Sequence, residues 1–167
     1  MKITTKKGDY GKSNTLKNSN ISKDELIFEV IGNIDELNSF IGFARSMDNT
    51  FHEQLEKIQK FLNKVSSYVA CDGKHFKKDV EEFLRWTELE IERNEGKINL
   101  KQFIIFGDDE TSSRIDLCRV VCRKCERRIV SLIRKNKWDN LLIKAFNRLS
   151  DLLFIYAVLE LRNKQGN

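Results

Sequence analysis

No proline occurs in this chain of 167 residues, and its apolar side chains recur at steps of three and four over most of its length. Proline is the strongest helix breaker, because it lacks the N–H that bonds four residues back and its ring strikes that carbonyl. Without it, long helices can run unbroken. The first apolar series is Ile27, Val30, Ile31, Ile34, Leu37, Ile41 and Ala44, which predicts a helix to about residue 47. A second carries Phe51, Leu55, Ile58, Leu62, Val65 and Val69. A third carries Val80, Phe83, Leu84, Thr87 and Ile91, and is expected to stop near Gly96. A fourth carries Ile115, Cys118, Cys122, Cys125, Ile129, Leu132 and Ile133, to about Asn136. A fifth carries Leu142, Ala145, Phe146, Leu149, Leu152, Leu153 and Tyr156, after which the segment 161–167 is expected to fray.

The boundaries have local chemistry. Ser22-Lys23-Asp24-Glu25 reads as a capping box, and Asp108 or Asp109 and then Asp139 are candidate N-caps for the fourth and fifth helices. Phe103-Ile104-Ile105-Phe106 has strand character but no second strand to pair with, so it reads as an extended connector packed on helices. The expected fold is an all-α bundle of five helices, mostly antiparallel neighbours. It forms one domain over residues 1–167, with an N-terminal loop at 1–22 and the bundle at 23–160.

The chain is 40% hydrophobic and 33% charged, has no apolar run near 18 residues and shows no signal-peptide pattern. A cytoplasmic protein without a membrane span is expected. The net charge of +5 fits nucleic acid, anionic lipid or a polyanionic small molecule. No zinc finger, RNA-recognition signature or compact helix-turn-helix is present, which argues against nucleic acid. Cys118, Cys122 and Cys125 have the C-x3-C-x2-C spacing of some iron–sulfur ligands. They also share one helix face with Ile115, Ile129 and Leu132, so they read as small core hydrophobes.

The stretch "TKKGDYGKSN", residues 5–14, ends in the Gly-Lys-Ser of a P-loop. A P-loop needs a glycine five residues before that Gly and a buried strand ahead of it. Lys6 occupies the glycine position, and only four residues precede Thr5. Two readings remain: an anion cradle of another kind, built from Gly8 and Gly11 with Lys6, Lys7 and Lys12, or a basic terminus. Arg119, Arg123, Glu126 and Arg127 fall on one face of the fourth helix. Such a face suits a polyphosphate, and equally a solvated salt-bridged surface. Asn147 interrupts an apolar helix and could bond a ribose or an adenine edge, or another helix. His52 and His75 form no catalytic arrangement, so an enzyme built here would work by positioning and charge.

Together, "TKKGDYGKSN", "SKDELIFEVIGNIDELNSFIGFAR", "KQFIIFG", "RVVCRKCERRIV" and "NRLSDLLF" resemble the PduO-type ATP:corrinoid adenosyltransferases in order and separation, from residue 1 to about 155. The resemblance implies a homotrimeric five-helix bundle with active sites between subunits. Its substrates would be ATP with Mg2+ and a reduced corrinoid such as cobalamin, with a flavin-type reductase as a possible electron source. It assigns Thr5, Lys6, Lys7, Gly8, Ser13, Asn14 and Lys23 to an ATP cradle. Arg123 and Arg127 would hold the triphosphate, Glu126 would orient the magnesium-bound nucleotide, and Asn147 would contact the nucleoside. Asp35 and Arg119 look like a pair joining neighbouring subunits, and Phe103 like the aromatic that crowds the lower corrinoid face. The chain departs from the family pattern at Phe106 and Asp108, where proline and glycine are usual. It also departs at Asp116, where histidine is usual, at Lys7 and Ser13, and at Ala157-Val158. The corrinoid side carries most of these changes. A non-catalytic ATP or corrinoid binder on the same bundle is the alternative.

Overall fold

The computed structural model describes residues 6, 8–47, 49–73, 75–100 and 103–165. Five helices follow one another: α1, Leu26–Arg45; α2, His52–Ala70; α3, Lys77–Glu95; α4, Glu110–Asn136; and α5, Leu141–Gln165. Each carries one of the predicted apolar series. Neighbours in space close a ring, α1 to α2 to α3 to α5 to α4 and back to α1. The all-α bundle is as expected.

The core lies inside this ring. Val30, Ile34, Leu37 and Ile41 of α1 are fully buried, as are Leu55, Ile58, Leu62 and Val65 of α2. Ile115, Cys118, Cys122, Cys125 and Ile129 are the fully buried part of the α4 stripe. Its C-terminal half makes α5 the most enclosed element, since Ile155, Tyr156, Ala157, Val158, Leu159, Glu160 and Leu161 are all buried. The two buried acids have partners. Glu90 of α3 accepts from the Tyr156 hydroxyl at 2.9 Å, and Glu160 accepts from the Thr50 backbone N–H.

Ion pairs line the α1–α4 seam in antiparallel order: Glu36 with Lys124, Glu29 with Arg128, and Glu25 with Lys135. They are half-exposed and so worth little each. Their use here is to mark the register of two helices that hydrophobic burial holds together.

Three local expectations are corrected. The capping box does not form: α1 starts at Leu26 with no side-chain cap, and the Glu25 carboxylate is engaged by Lys135. Ser22 instead belongs to a strand. Lys12–Ser13 (β1) and Ile21–Ser22 (β2) pair antiparallel, Lys12 opposite Ser22 and Ser13 opposite Ile21. The segment expected to fray from 161 is helical to Gln165, because Leu161 is buried and Arg162 donates to the Lys97 and Asn99 carbonyls. The Asp109 cap is present, its Oδ1 accepting from Ser112 N–H at 2.7 Å. Asp139 Oδ1 accepts from Leu141 N–H at the start of α5. The connector before α4 is only partly packed. Phe106 and Ile104 are half-buried, whereas Phe103 is fully exposed.

Phe146 is fully buried between α4 and α2, its ring 6.3 Å from that of Phe61. Phe146→Ala should lower the unfolding free energy by about 3–5 kcal/mol, and Asp109→Ala by about 1 kcal/mol. Urea melts of both variants measure this; a smaller loss for the ring than for the cap would contradict the assignment of the core.

Candidate functional site

The amphipathic pattern of α4 decides where its charges go. Its apolar stripe faces the ring interior, so the residues about 100° round the helix from the α1 seam face outward beside α5. There Arg123, Glu126, Arg127, Val130 and Asn147 line a small hollow of about 200 Å³. Arg127 Nη1 donates to the Arg123 carbonyl at 3.0 Å. Among the described residues, no carboxylate lies within ion-pair distance of Arg123 or Arg127. Two guanidiniums are therefore left with most of their donors unused, which is the chemistry of an oxyanion site. Asn147 Oδ1 accepts from Arg148 Nη1 at 3.0 Å, leaving its amide N–H groups free. Arg148 is in turn paired with Asp151.

The N-terminal loop forms a second hollow, of about 470 Å³, lined by Gly8, Lys12, Ser13, Asn14, Ser19, Asn20 and Lys23. The two-residue ladder closes its base, and side chains hold its shape. Asn14 Oδ1 accepts from the Asn20 N–H at 2.8 Å, and Thr15 Oγ1 accepts from Asn18 N–H at 3.0 Å. Lys23 Nζ donates to the Gly8 carbonyl at 2.7 Å. A Cβ on Gly8 would stand 2.7 Å from that nitrogen, so the approach requires glycine or a displaced lysine. Gly11 turns with φ 72°, a conformation costly for other residues. The loop is tied to the bundle where Asp72 meets Lys17 and Asn18.

A third and larger depression, about 710 Å³, runs between α3, α4 and α5. Arg119, Arg123 and Arg148 stand on one wall, Glu88, Glu92 and Glu95 on the other, with Ile91 and Phe154 among the apolar lining. Arg119 Nε donates to Asp116 Oδ1 at 2.7 Å, and its guanidinium carbon is 5.9 Å from the Phe154 ring centre.

The predicted residues therefore fall into groups. Gly8, Ser13, Asn14 and Lys23 share the loop hollow; Arg123, Glu126, Arg127 and Asn147 share the α4–α5 hollow. Lys6 is exposed with φ 58°, and Thr5 and Lys7 lie outside the described residues. Asp35 and Phe103 are exposed. The two hollows are not joined within one chain. Lys135, whose pair with Glu25 marks the loop end of the bundle, lies eight residues beyond Arg127, about 12 Å along α4. The seam cations Lys124 and Arg128 each follow an arginine of the hollow by one residue, about 100° round the helix. Ser19 and Asn20 escaped the sequence reading because their part in the hollow depends on loop closure. The acidic α3 wall also escaped it, although Glu88, Glu92 and Glu95 at offsets 0, 4 and 7 carried a visible helical signal.

The three clustered thiols are core groups, as predicted. Cys122 Sγ donates to the Phe146 carbonyl at 3.5 Å. Burial pushes Cys118 and Cys125 up to about 12 and raises Cys122 as well.

Residues 3–160 match the family model described as cobalamin adenosyltransferase. A corrinoid adenosyltransferase from Mus musculus, MMAB, is 39% identical over 93% of this chain and 71% of its own length. The corrinoid adenosyltransferase of Bacillus subtilis is 34% identical, over 94% and 85% of the two chains. Among solved structures, a variant PduO-type ATP:corrinoid adenosyltransferase from Lactobacillus reuteri complexed with cobalamin and ATP superposes with a TM-score of 0.85 at 29% identity. That match covers 93% of this chain and 89% of the other.

With a neutral-pH thiol reagent, the native protein should release one fast equivalent, from half-buried Cys71, and the denatured protein all four. More than one fast equivalent would show that the α4 thiols are not sealed in the core.

Proposed function

The chain belongs to the cobalamin adenosyltransferase family, and from that premise we infer that it transfers the 5′-deoxyadenosyl group of ATP to the cobalt of a reduced corrinoid. The observation that carries this is the α4–α5 hollow, where Arg123 and Arg127 lack carboxylate partners among the described residues and stand beside the free amide N–H groups of Asn147. Two guanidiniums offer forked donors to the triphosphate, and the amide offers donors to the nucleoside.

In the transfer, the electron pair of Co(I) attacks C5′ of ATP. The cobalt–carbon bond forms as the C5′–O bond breaks, and inorganic triphosphate leaves with that bonding pair. Cobalt is thereby oxidised by two electrons, and no proton has to move at the reacting carbon. That fits a site without a catalytic histidine. The protein's work is to bind the polyanion, align C5′ with the metal and hold the leaving charge, so Arg123 and Arg127 act chiefly on the departing triphosphate.

Glu126 is the one carboxylate of the hollow. Magnesium is commonly held by one or two carboxylates together with substrate phosphates and water, so this donor set fits an ion that arrives on ATP. The lysines of the loop hollow would close over the nucleotide. Because the two hollows share no lining residue within one chain, the reading has a neighbouring subunit supply one of them, in a homotrimer in which Asp35 meets Arg119 across the subunit boundary. Exposed Phe103 would crowd the lower corrinoid face and displace the axial ligand, which makes Co(II) easier to reduce by a flavin-type reductase.

ATP at ~100 times its dissociation constant should stabilise the protein by about 2.7 kcal/mol, and Arg123→Ala should abolish that shift. Anaerobic incubation with ATP and reduced cobalamin should give the absorbance spectrum of the cobalt–carbon product. ATP binding without that product would sink the catalytic claim and leave a binder.

A further inference from the structure

Phe103 is 100% exposed, so nothing described in its own chain holds the side chain. Its position is set by whatever anchors the connector. The nearest anchor is Phe106, three residues on, whose ring meets Phe154 of α5 edge-on with centres 6.3 Å apart and planes at 87°. That is a favoured aromatic geometry. Three extended residues span about 10 Å, so this contact keeps Phe103 within that reach of Phe106, whose partner Phe154 lines the large depression.

The same Phe154 ring is approached by Arg119, at 5.9 Å, a distance at which a guanidinium is attracted to the ring face. Arg119 is in turn held by Asp116, one turn back on α4. The ion pair is more sheltered than a surface pair, its side chains being 27% and 19% exposed. Asp116 takes the Nε–H, which leaves the two terminal nitrogens of the fork available in the depression. Four side chains from three segments thus form one continuous contact path, Asp116 to Arg119 to Phe154 to Phe106. Two of them, Asp116 and Phe106, are positions where the chain departs from the family pattern.

We propose that Asp116 and Phe106 are positioning residues of a single unit, Asp116–Arg119–Phe154–Phe106, which sets the Phe103 connector and the Arg119 fork together on the corrinoid side of the site. The proposal rests on the adenosyltransferase reading. The two departures act at opposite ends of one path, so each makes sense only in the presence of the other. Removing Asp116 lets the Arg119 guanidinium leave the Phe154 ring, and the ring then no longer seats Phe106. Removing Phe106 frees the connector directly.

The test is a double-mutant cycle with Asp116→Asn and Phe106→Leu, in protein shown by circular dichroism to be folded. Each single change should raise the KM for the corrinoid by about fivefold and leave the KM for ATP within about twofold. The double variant should fall well short of the product of the two effects. Asp116→Glu and Phe106→Tyr should recover most of the loss. Multiplying effects, or an equal rise in the KM for ATP, would overturn the proposal. A second readout needs no turnover. In protein labelled with fluorophenylalanine, Asp116→Asn should move the fluorine resonance of Phe106, assigned by its loss in Phe106→Leu, although the two residues are not in contact. An unmoved resonance would equally overturn the proposal. If the unaltered protein transfers no adenosyl group, the functional reading fails, and the resonance alone decides whether the unit exists.

Discussion

Burial of the α4 stripe is the constraint from which the rest follows. Ile115, Cys118, Cys122, Cys125 and Ile129 are fully enclosed, so α4 has one allowed rotation about its axis. A turn of 100° would place thiols and isoleucines in water and arginines in the core, at a cost of many kcal/mol. Once that rotation is set, Lys124, Arg128 and Lys135 must face α1, and Arg123 and Arg127 must face outward beside α5. The separation of paired from unpaired cations is a consequence of packing. Glu25, Glu29 and Glu36 stand along the seam, and among the described residues no carboxylate pairs with Arg123 or Arg127.

That separation also explains how one short chain can present a strongly basic surface without losing stability. Half-exposed pairs along the seam neutralise the cations nearest the core. Arg123 and Arg127, left without such partners among the described residues, sit together at the edge of the bundle, where water screens them until a polyanion takes its place. Crowded guanidiniums repel one another, and a triphosphate relieves that repulsion as it binds. The polyanion is therefore matched to a local electrostatic cost that the fold has concentrated in one place. The N-terminal loop applies the same chemistry more loosely, through backbone turns and lysines on a scaffold of two paired strands two residues long.

Much of this was legible along the chain. Helices appear where the apolar period appears, the Asp109 cap is where the acids precede α4, and the thiols lie on the stripe that predicted their burial. The failures have common physical causes. Ser22 and Glu25 carry a capping-box pattern, but the Ser22 backbone pairs with Lys12 in the loop ladder, and the Glu25 carboxylate is taken by Lys135, which is far away in sequence. The end of α5 looks polar enough to fray, yet Leu161 is covered and Arg162 reaches carbonyls after α3. In each case a contact outside the helix's own first or last turn outweighed a local preference worth about 1 kcal/mol.

The sequence alone determined the helices, their buried faces and the chemical kinds of group available, because these depend on spacing within a few residues. It also carried the family through motifs spread over most of the chain. Only the tertiary structure decided which cations keep their charge unpaired and which carboxylates neutralise the others. It also decided that Asp116, Arg119, Phe154 and Phe106 touch in series. Apart from Asp116 and Arg119, one turn apart on α4, these pairings join residues tens of positions apart, and their geometry exists only after helices have packed at one rotation and one register.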